Sequence, residues 1–443
     1  HCFAFAALDF FAQAMKSKKL RSASTIHQTM IILGIETSCD ETALALIETR
    51  STGETFECRV ISSLIHSQAD LHSPYGGVFP TLAKREHEKN LVPLLEKTLE
   101  QFEVFLSAHS SEFVAHKDAY CTSADHSVLI EQFRSEFAAQ NADLFEAVAH
   151  APFLAEKPLI DLIAVTEGPG LEPALWTGIV FAQMLSRIWN IPVIPINHME
   201  GHVVGSLLQP DVPYGTWQTL KPLAIPTLAL LISGGHTELV KVTEQLSPSK
   251  TPRFSYSIIG QTKDDAVGEA FDKVARLLDL PYPGGPHVSK LAAEAREQKI
   301  QSEVKLPRPM IASKDLAFSF SGLKTAVLYA VREAEKSGPL SDTFKQSLAR
   351  EFEESITETI DAKLRKALEE TGAQSIIIGG GVSANLFLRE ALQKTTTEYG
   401  VELHLPSSHI SGDNALMIAL AGAFAGIVPS NDIRANGTKR LGG

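Results

Sequence analysis

The sequence predicts an α/β protein of two lobes that face each other across a cleft. Three observations predict it. A strand, a small polar turn and a second strand occur at residues 31–47 (IILGI, then ALALI) and again at 228–242 (LALLI, then ELVKV). Two more strands, 162–166 and 375–378, run into the glycine turns Gly168-Pro169-Gly170 and Gly379-Gly380-Gly381, each of which opens a helix. The chain has 443 residues, 44% of them apolar and 21% charged, enough to bury the cores of two or three ordinary domains. Two similar halves, each opening with a hairpin whose turn could touch phosphate, suggest a duplicated architecture with a nucleotide in the cleft.

The elements follow in order. Residues 1–29 are apolar at first, then carry Lys16, Lys18, Lys19 and Arg21, then Ser and Thr. They read as an extension upstream of a start at Met30 or as a targeting presequence. Residues 30–197 form the first lobe, with strands at 31–35, 43–47 and 57–65 and a helix through Leu82, Leu91 and Leu95. Residues 103–155 show helical patches and scattered His109, His116, Cys121 and His126, and read as an inserted surface excursion. Order returns with the strand 162–166, a helix to about Arg187, and the strand 193–196. The second lobe is assigned to 198–412, with helices near 265–278, 287–297, 321–336 and 343–370. Residues 413–443 hold a last helix that returns to the first lobe and a basic, mobile tail with Arg434, Lys439 and Arg440.

Composition excludes some classes. The longest apolar stretches, Leu228 to Ile232 and Ala415 to Phe424, are too short or too interrupted to span a bilayer. The net charge of −12 argues against a bulk electrostatic grip on nucleic acid, so a nucleic-acid substrate needs a local basic patch or a helper subunit. Four cysteines with no Cys-x-x-Cys pair fit a reducing cytosol.

The residues that could do chemistry centre on Asn197 to His202, NHMEGH. His198 and His202 stand four apart, so on a helix both imidazoles can meet one cation. The pair follows a strand end, where α/β proteins keep their ligands. Asp413, at the start of the last helix, is the best third ligand, although Asp also serves as a helix N-cap. Two His and one Asp leave positions open and suit Fe(II) or Zn(II). The motif is not His-Glu-x-x-His, because Glu200 follows Met199.

Ser233-Gly234-Gly235 offers backbone N–H groups of the kind that cradle phosphate. Gly379 to Asn385 (GGGVSAN) lets a flat base or ribose lie against the backbone, with Asn385 to bond it. Neither a dinucleotide fingerprint nor a Walker lysine is present. Glu36, Asp40 and Glu41 surround the turn after the first strand and could take a proton. Asp265, Glu269 and Asp272 fall on one helix face, an arrangement that calls for a cationic or hydroxylic partner, and Tyr282 to Pro286 (YPGGP) makes a rigid turn beside it.

The ordered set IETSCDET, YGGVFPTLAKREH, EGPGL, NHMEGH, LISGGHTEL, DDAVGEAFDKVARLL, YPGGP, FSFSGLKTAV, GGGVSAN and GDNALMIA resembles one family from about residue 31 to about residue 427, apart from 103–155. That family is the tRNA threonylcarbamoyladenosine transferases of the bacterial TsaD type. It lies within the superfamily of actin-like proteins, sugar kinases and heat-shock ATPases. The resemblance implies an actin-like (ASKHA) fold with duplicated mixed sheets flanked by helices. It implies transfer of a threonylcarbamoyl group from threonylcarbamoyl-adenylate to the exocyclic amine of adenosine 37, in tRNAs that read codons beginning with A. By the resemblance His198, His202 and Asp413 bind the metal, Fe(II) first and Zn(II) second. Leu231, Ile232, Ser233, Gly234, Gly235, Asp272, Gly285 and Asn385 match substrate-binding positions, and Asp40 and Glu41 match positions that assist catalysis. Arg85 and His87 match a segment facing the cleft. The implied partners are tRNA, an actin-like paralogue of the TsaB type and a small ATPase of the TsaE type, in the cytoplasm.

The chain departs from the family pattern in two places. Ser411-Gly412 stand where Cys-Thr is common, and Glu172-Pro173-Ala174 stand where a glycine is usual. The rival readings are a metallo-endopeptidase, a sugar-kinase-like phosphotransferase and a non-catalytic scaffold.

Overall fold

A computed structural model describes residues 28–51, 55–113, 126–137, 141–246, 252–407, 410–425 and 432–442. Its strands are β1 (Gln28–Glu36), β2 (Glu41–Ser51), β3 (Phe56–Ser67), β4 (Leu162–Gly168), β5 (Val193–Asn197), β6 (Gln218–Thr219), β7 (Thr227–Ile232), β8 (Thr237–Leu246), β9 (Pro252–Gln261), β10 (Ser375–Gly379) and β11 (Glu402–His404). Its α-helices are α1 (Ala69–His72), α2 (Pro80–Ala108), α3 (His126–Phe137), α4 (Ala142–Ala149), α5 (Glu172–Trp189), α6 (His198–Gly205), α7 (Val267–Leu277), α8 (Gly284–Glu297), α9 (Ser321–Glu335), α10 (Asp342–Thr371), α11 (Leu386–Tyr399) and α12 (Ala415–Ala425).

The duplication holds for five strands of each sheet, β6 being an addition to the first. One sheet runs β5-β4-β1-β2-β3-β6 and the other β11-β10-β7-β8-β9. In each, three consecutive strands pair antiparallel, and two later strands add in parallel beside the first. The matching hairpins pair Ile35 with Leu44 and Leu230 with Leu239. The central strands read as unbroken apolar runs because helices cover both of their faces.

Five layers result. On the outer face of the first sheet Leu91, Phe181 and Trp189 pack with Leu33 and Val165. On the outer face of the second, Phe271, Phe352 and Leu323 pack with Leu230 and Ile376. Between the sheets lie α6 and α12, whose Val203, Met417 and Ile418 join Ile32 and Ala45 of one sheet to Leu231 and Ile377 of the other. The helix α12 is apolar all round, as a helix buried on every side must be. It lies so close to β1 that a Cβ on Gly34 would come within 2.2 Å of the Ala415 carbonyl oxygen. This is the expected arrangement of two duplicated lobes, and the middle layer carries NHMEGH and Asp413.

Four boundaries differ from the sequence reading. The first strand begins at Gln28, pairing Gln28 with Ser51, so the extension ends before residue 28 rather than at 29. The lobe boundary at 198 moves to about 226, because Gln218 and Thr219 still pair with β3 of the first sheet. The described part of the 103–155 segment is no surface excursion. Phe133, Leu144, Phe145 and Val148 are buried in the first lobe's core, which the scattered polar residues of this stretch concealed. His109 stacks on Phe105 with ring centroids 4.3 Å apart, while His116, Cys121 and the side chain of His126 lie outside the described residues.

The tail is the fourth. Residues 432–442 form a strap with buried Ile433 and Leu441. The Asn436 N–H donates to the Glu167 carbonyl (2.8 Å), the Gly170 N–H to the Gly437 carbonyl (3.2 Å), and Lys439 pairs with Glu167. Apolar anchors at the two ends of the strap hold a stretch that its charges alone suggested was mobile. No helix among the described residues is long and apolar enough to cross a membrane.

Candidate metal centre

Two caps aim the ligands. At the start of α6 the Asn197 side chain accepts from the N–H groups of Met199 (2.9 Å) and Glu200 (3.3 Å), so His198 takes the first helical position. The other end of that amide donates to the Arg440 carbonyl of the strap at 3.2 Å. At the start of α12 the cap is Asn414, whose Oδ1 accepts from the Met417 N–H at 2.9 Å. Asp413 is therefore not the N-cap, and its carboxylate is left to the imidazoles.

The structure brings the three predicted ligands together. Nε2 of His198 and Nε2 of His202 lie 3.3 and 3.2 Å from the same Asp413 oxygen, and one donor atom from each residue falls within 4.8 Å of the others. The histidine rings meet edge to face at 4.7 Å. Nε2 of His202 is buried without hydrogen-bond geometry to any partner, although it lies near that oxygen. A buried polar atom left so is costly unless a ligand meets it. Two imidazoles, a carboxylate and an orphaned nitrogen at their centre fit a divalent cation.

Behind His198 stands Glu36, at the end of β1 and fully buried. Its Oε2 accepts from His198 Nδ1 at 3.0 Å and from the Thr166 hydroxyl at 2.6 Å, and its Oε1 accepts from the Ser38 N–H at 2.5 Å. This is the geometry of the carboxylate–histidine pairs that orient metal ligands. Burial opposes charge on both partners. For Glu36, His198 outweighs that penalty and holds the carboxyl below its usual range, while Asp413 and Glu36 hold His198 well above its own. Sequence reasoning placed Glu36 with Asp40 and Glu41 on an acidic turn that could take a proton, and did not place it behind His198. The available signal was a carboxylate ending an otherwise apolar buried strand.

The acid pair lies beside this centre. Burial, then Asp40 and Asp413, push the Glu41 carboxyl well above its usual range. The turn that carries the pair is braced by His87. Its Nε2 lies 3.1 Å from the Cys39 carbonyl, and its Nδ1 lies 2.8 Å from the Thr42 hydroxyl and 3.3 Å from the Gln68 amide. Burial lowers His87 to about 4, so it braces the turn as a neutral ring. Arg85 of the same segment is exposed. His236, which sequence reading passed over inside SGGHTEL, is lowered to about 4 by burial and by His198 nearby.

The other predicted residues divide. Leu231 and Ile232 are fully buried in the sheet, so neither presents surface to a ligand. A Cβ on Gly234, Gly235 or Gly285 would meet nothing within 4 Å, so all three border open space. Two amides of the glycine turn, those of Gly235 and His236, already donate to Ser233 Oγ at 3.3 and 3.1 Å. Gly380, at φ +89°, needs to be glycine, since a Cβ would lie 2.4 Å from the Ile232 carbonyl oxygen. The Asn385 side chain is spent on the fold. It caps α11 through the Leu388 N–H (2.8 Å) and donates to Ser289 (2.8 Å) and Glu353 (2.6 Å).

The acidic helix face also resolves. Asp265 precedes α7 rather than lying on it, and Lys273 meets both Asp265 and Glu269 at 2.7 Å, supplying the expected cation. Asp272 instead accepts from the Gly284 N–H at 2.8 Å and joins the Tyr282–Pro286 turn to the helix. Asp272 and Gly284 line a cleft of about 370 Å³ that Tyr75 and Gly76 of the first lobe close from the other side.

Comparisons with known proteins agree with the motif pattern. The family model for tRNA N6-adenosine threonylcarbamoyltransferase (TsaD) matches residues 59–110 and 150–420, passing over the stretch that holds α3 and α4. A tRNA N6-adenosine threonylcarbamoyltransferase of Methylobacillus flagellatus is 39% identical over 397 residues, 89% of this chain and 92% of its own length. One from Polynucleobacter necessarius is 38% identical over 415 residues, 92% of this chain and 96% of its own. Among solved structures, full-length HypF in its phosphate- and nucleotide-bound form aligns at 12% identity and TM-score 0.46, over 90% of this chain and 47% of that one. With a model match over most of its length and relatives this similar end to end, the chain belongs to the tRNA N6-adenosine threonylcarbamoyltransferase family.

Proposed function

We propose that this protein transfers the threonylcarbamoyl group from threonylcarbamoyl-adenylate to the N6 amine of adenosine 37 in tRNAs reading codons that begin with A. The observation that carries the reading is the meeting of His198, His202 and Asp413 between two sheets, within electrostatic reach of the Asp40–Glu41 pair. The N6 nitrogen attacks the carbamoyl carbon, the new C–N bond forms, and the C–O bond to the phosphate breaks to release AMP. The amine's proton passes to the acid pair, where the raised Glu41 carboxyl makes its ionised form a stronger base. The open Ser233–Gly235 turn receives the phosphate, with the Gly235 N–H leaving Ser233 Oγ to meet it and the Ser233 N–H staying on the His236 carbonyl (2.9 Å). A divalent ion on His198, His202 and Asp413, Fe(II) first and Zn(II) second by donor type, supplies Lewis acidity toward the carbonyl oxygen. Glu36 keeps the His198 ring in register.

The peptidase reading loses its general base. Glu200 turns to the Tyr256 hydroxyl at 3.0 Å, and burial pushes its carboxyl up. The charge of −12 favours tRNA held partly by other subunits, and we assign that role to a TsaB-type paralogue and a TsaE-type ATPase in the cytosol. The test is reconstitution with threonylcarbamoyl-adenylate, unmodified tRNA and those partners. Wild type is expected to form the modified nucleoside and His198→Ala to form none. Absence of product from wild type with every partner supplied would overturn the assignment.

A further inference from the structure

We infer that the cleft between the 73–76 turn and the 272–284 segment receives the acceptor adenosine of the tRNA, with Tyr75 and Phe79 as its stacking platform. The inference rests on the proposed reaction and names the part of the site that takes the nucleic acid.

Tyr75 and Phe79 are 63% and 53% exposed, yet their rings stack at 5.9 Å with planes 27° apart. Neither ring belongs to any of the three cores, so the fold does not use them. A stacked aromatic pair kept in water at a cleft mouth suits an unpaired base, which presents a flat π face and binds by stacking. Tyr75 lines the cleft itself, opposite Asp272, Arg276, Tyr282 and Gly284. Its volume of about 370 Å³ lies within the range of small-ligand sites. The turn is held in position, since the Arg276 guanidinium donates to the Gly76 carbonyl across the cleft. Gly76, at φ +65°, is the residue type that allows this, because a Cβ would meet that guanidinium at 2.8 Å.

The cleft also leads to the chemistry. The segment just before it is tied to the acid pair, with the Gln68 N–H donating to the Asp40 carbonyl at 2.9 Å. On the opposite wall the Tyr282 hydroxyl is pushed up by burial and then by Asp40, Cys39, Asp272 and Glu41, which puts the acids within reach of the cleft. Glu41 in turn feels Asp413 of the metal centre. An adenine stacked on Tyr75 with its edge inward therefore turns toward the side of the cleft that holds Asp40 and Glu41, the groups assigned its proton. The donor is a small molecule with its phosphate assigned to the Ser233–Gly235 turn and needs enclosure. A base carried on a polymer needs an open, half-exposed platform, and Tyr75–Phe79 is that.

The experiment compares Tyr75→Ala, Tyr75→Phe and Phe79→Ala with wild type, partners included, titrating tRNA and threonylcarbamoyl-adenylate separately. Loss of one stacked base is worth ~1–3 kcal/mol, so Tyr75→Ala should raise the KM for tRNA about 5- to 150-fold. The KM for the donor should stay within about twofold. Tyr75→Phe, which keeps the ring, should behave as wild type. In a parallel arm an anticodon stem-loop with 2-aminopurine at the acceptor position should be quenched on binding wild type but not Tyr75→Ala. That arm reads the platform even if no product forms, and so separates failure of this inference from failure of the reaction. A rise in the donor KM alone, or no change in either KM and equal quenching, would overturn it.

Discussion

Glu36 and His198 stand 162 residues apart in sequence, and their side chains meet at 3.0 Å in the buried layer between the sheets. The contact sets which ring nitrogen faces Asp413 and His202. Glu36→Gln keeps the shape and removes the charge behind the ring. It is expected to weaken divalent-metal binding about 10- to 100-fold, read by calorimetric titration of the apo protein with Zn(II) and Fe(II). Unchanged affinity would remove Glu36 from the metal's support.

His87 gives a pH prediction. The folded protein holds it at about 4, below the 6.5 of a free imidazole, so the unfolded chain binds the extra proton. Its contribution to stability is complete above pH 6.5 and is lost as the pH falls toward 4. The loss amounts to about 3 kcal/mol. Urea unfolding at several pH values should show wild type losing that much more than His87→Gln. Parallel curves for the two proteins would refute it.

Asn197 joins α6 to the strap. Asn197→Ala removes the cap and the bond to the Arg440 carbonyl together, and is expected to cost about 1–2 kcal/mol. Asn197→Asp keeps an acceptor for the cap but has no donor for the strap. Amide hydrogen exchange should then show faster exchange at residues 432–442 in both variants, with most of the stability retained only in Asp. Equal protection of the strap in all three proteins would break the link.

Gly34→Ala tests the approach of α12 to the first sheet. The new methyl would meet a backbone oxygen, Ala415 O, which no side-chain rotation can relieve. A loss of about 3 kcal/mol or more is expected, seen as a large drop in thermal midpoint. A midpoint within a few degrees of wild type would mean that the helix yields.

Much of this was legible in the residues because it is local. Hairpins, glycine turns and the four-residue spacing of His198 and His202 are short-range patterns, and each chain segment carries them without help. The same holds for the choice of ligands, since imidazole and carboxylate chemistry comes with the side chain.

Tertiary structure alone decided the pairings between distant segments. Whether Asp413 caps a helix or faces the histidines depended on Asn414 taking the cap. Whether α3 and α4 are surface or core depended on Phe133 and Phe145 reaching the first lobe's helices. Whether the tail is loose depended on Ile433 and Leu441 finding buried places, and Glu36 acquired its role only when β1 came to end beside α6. The sequence by itself determined the repeated lobes and the donor atoms. Packing of remote apolar surfaces chose their neighbours, because those energies exist only once both lobes and the layer between them have closed.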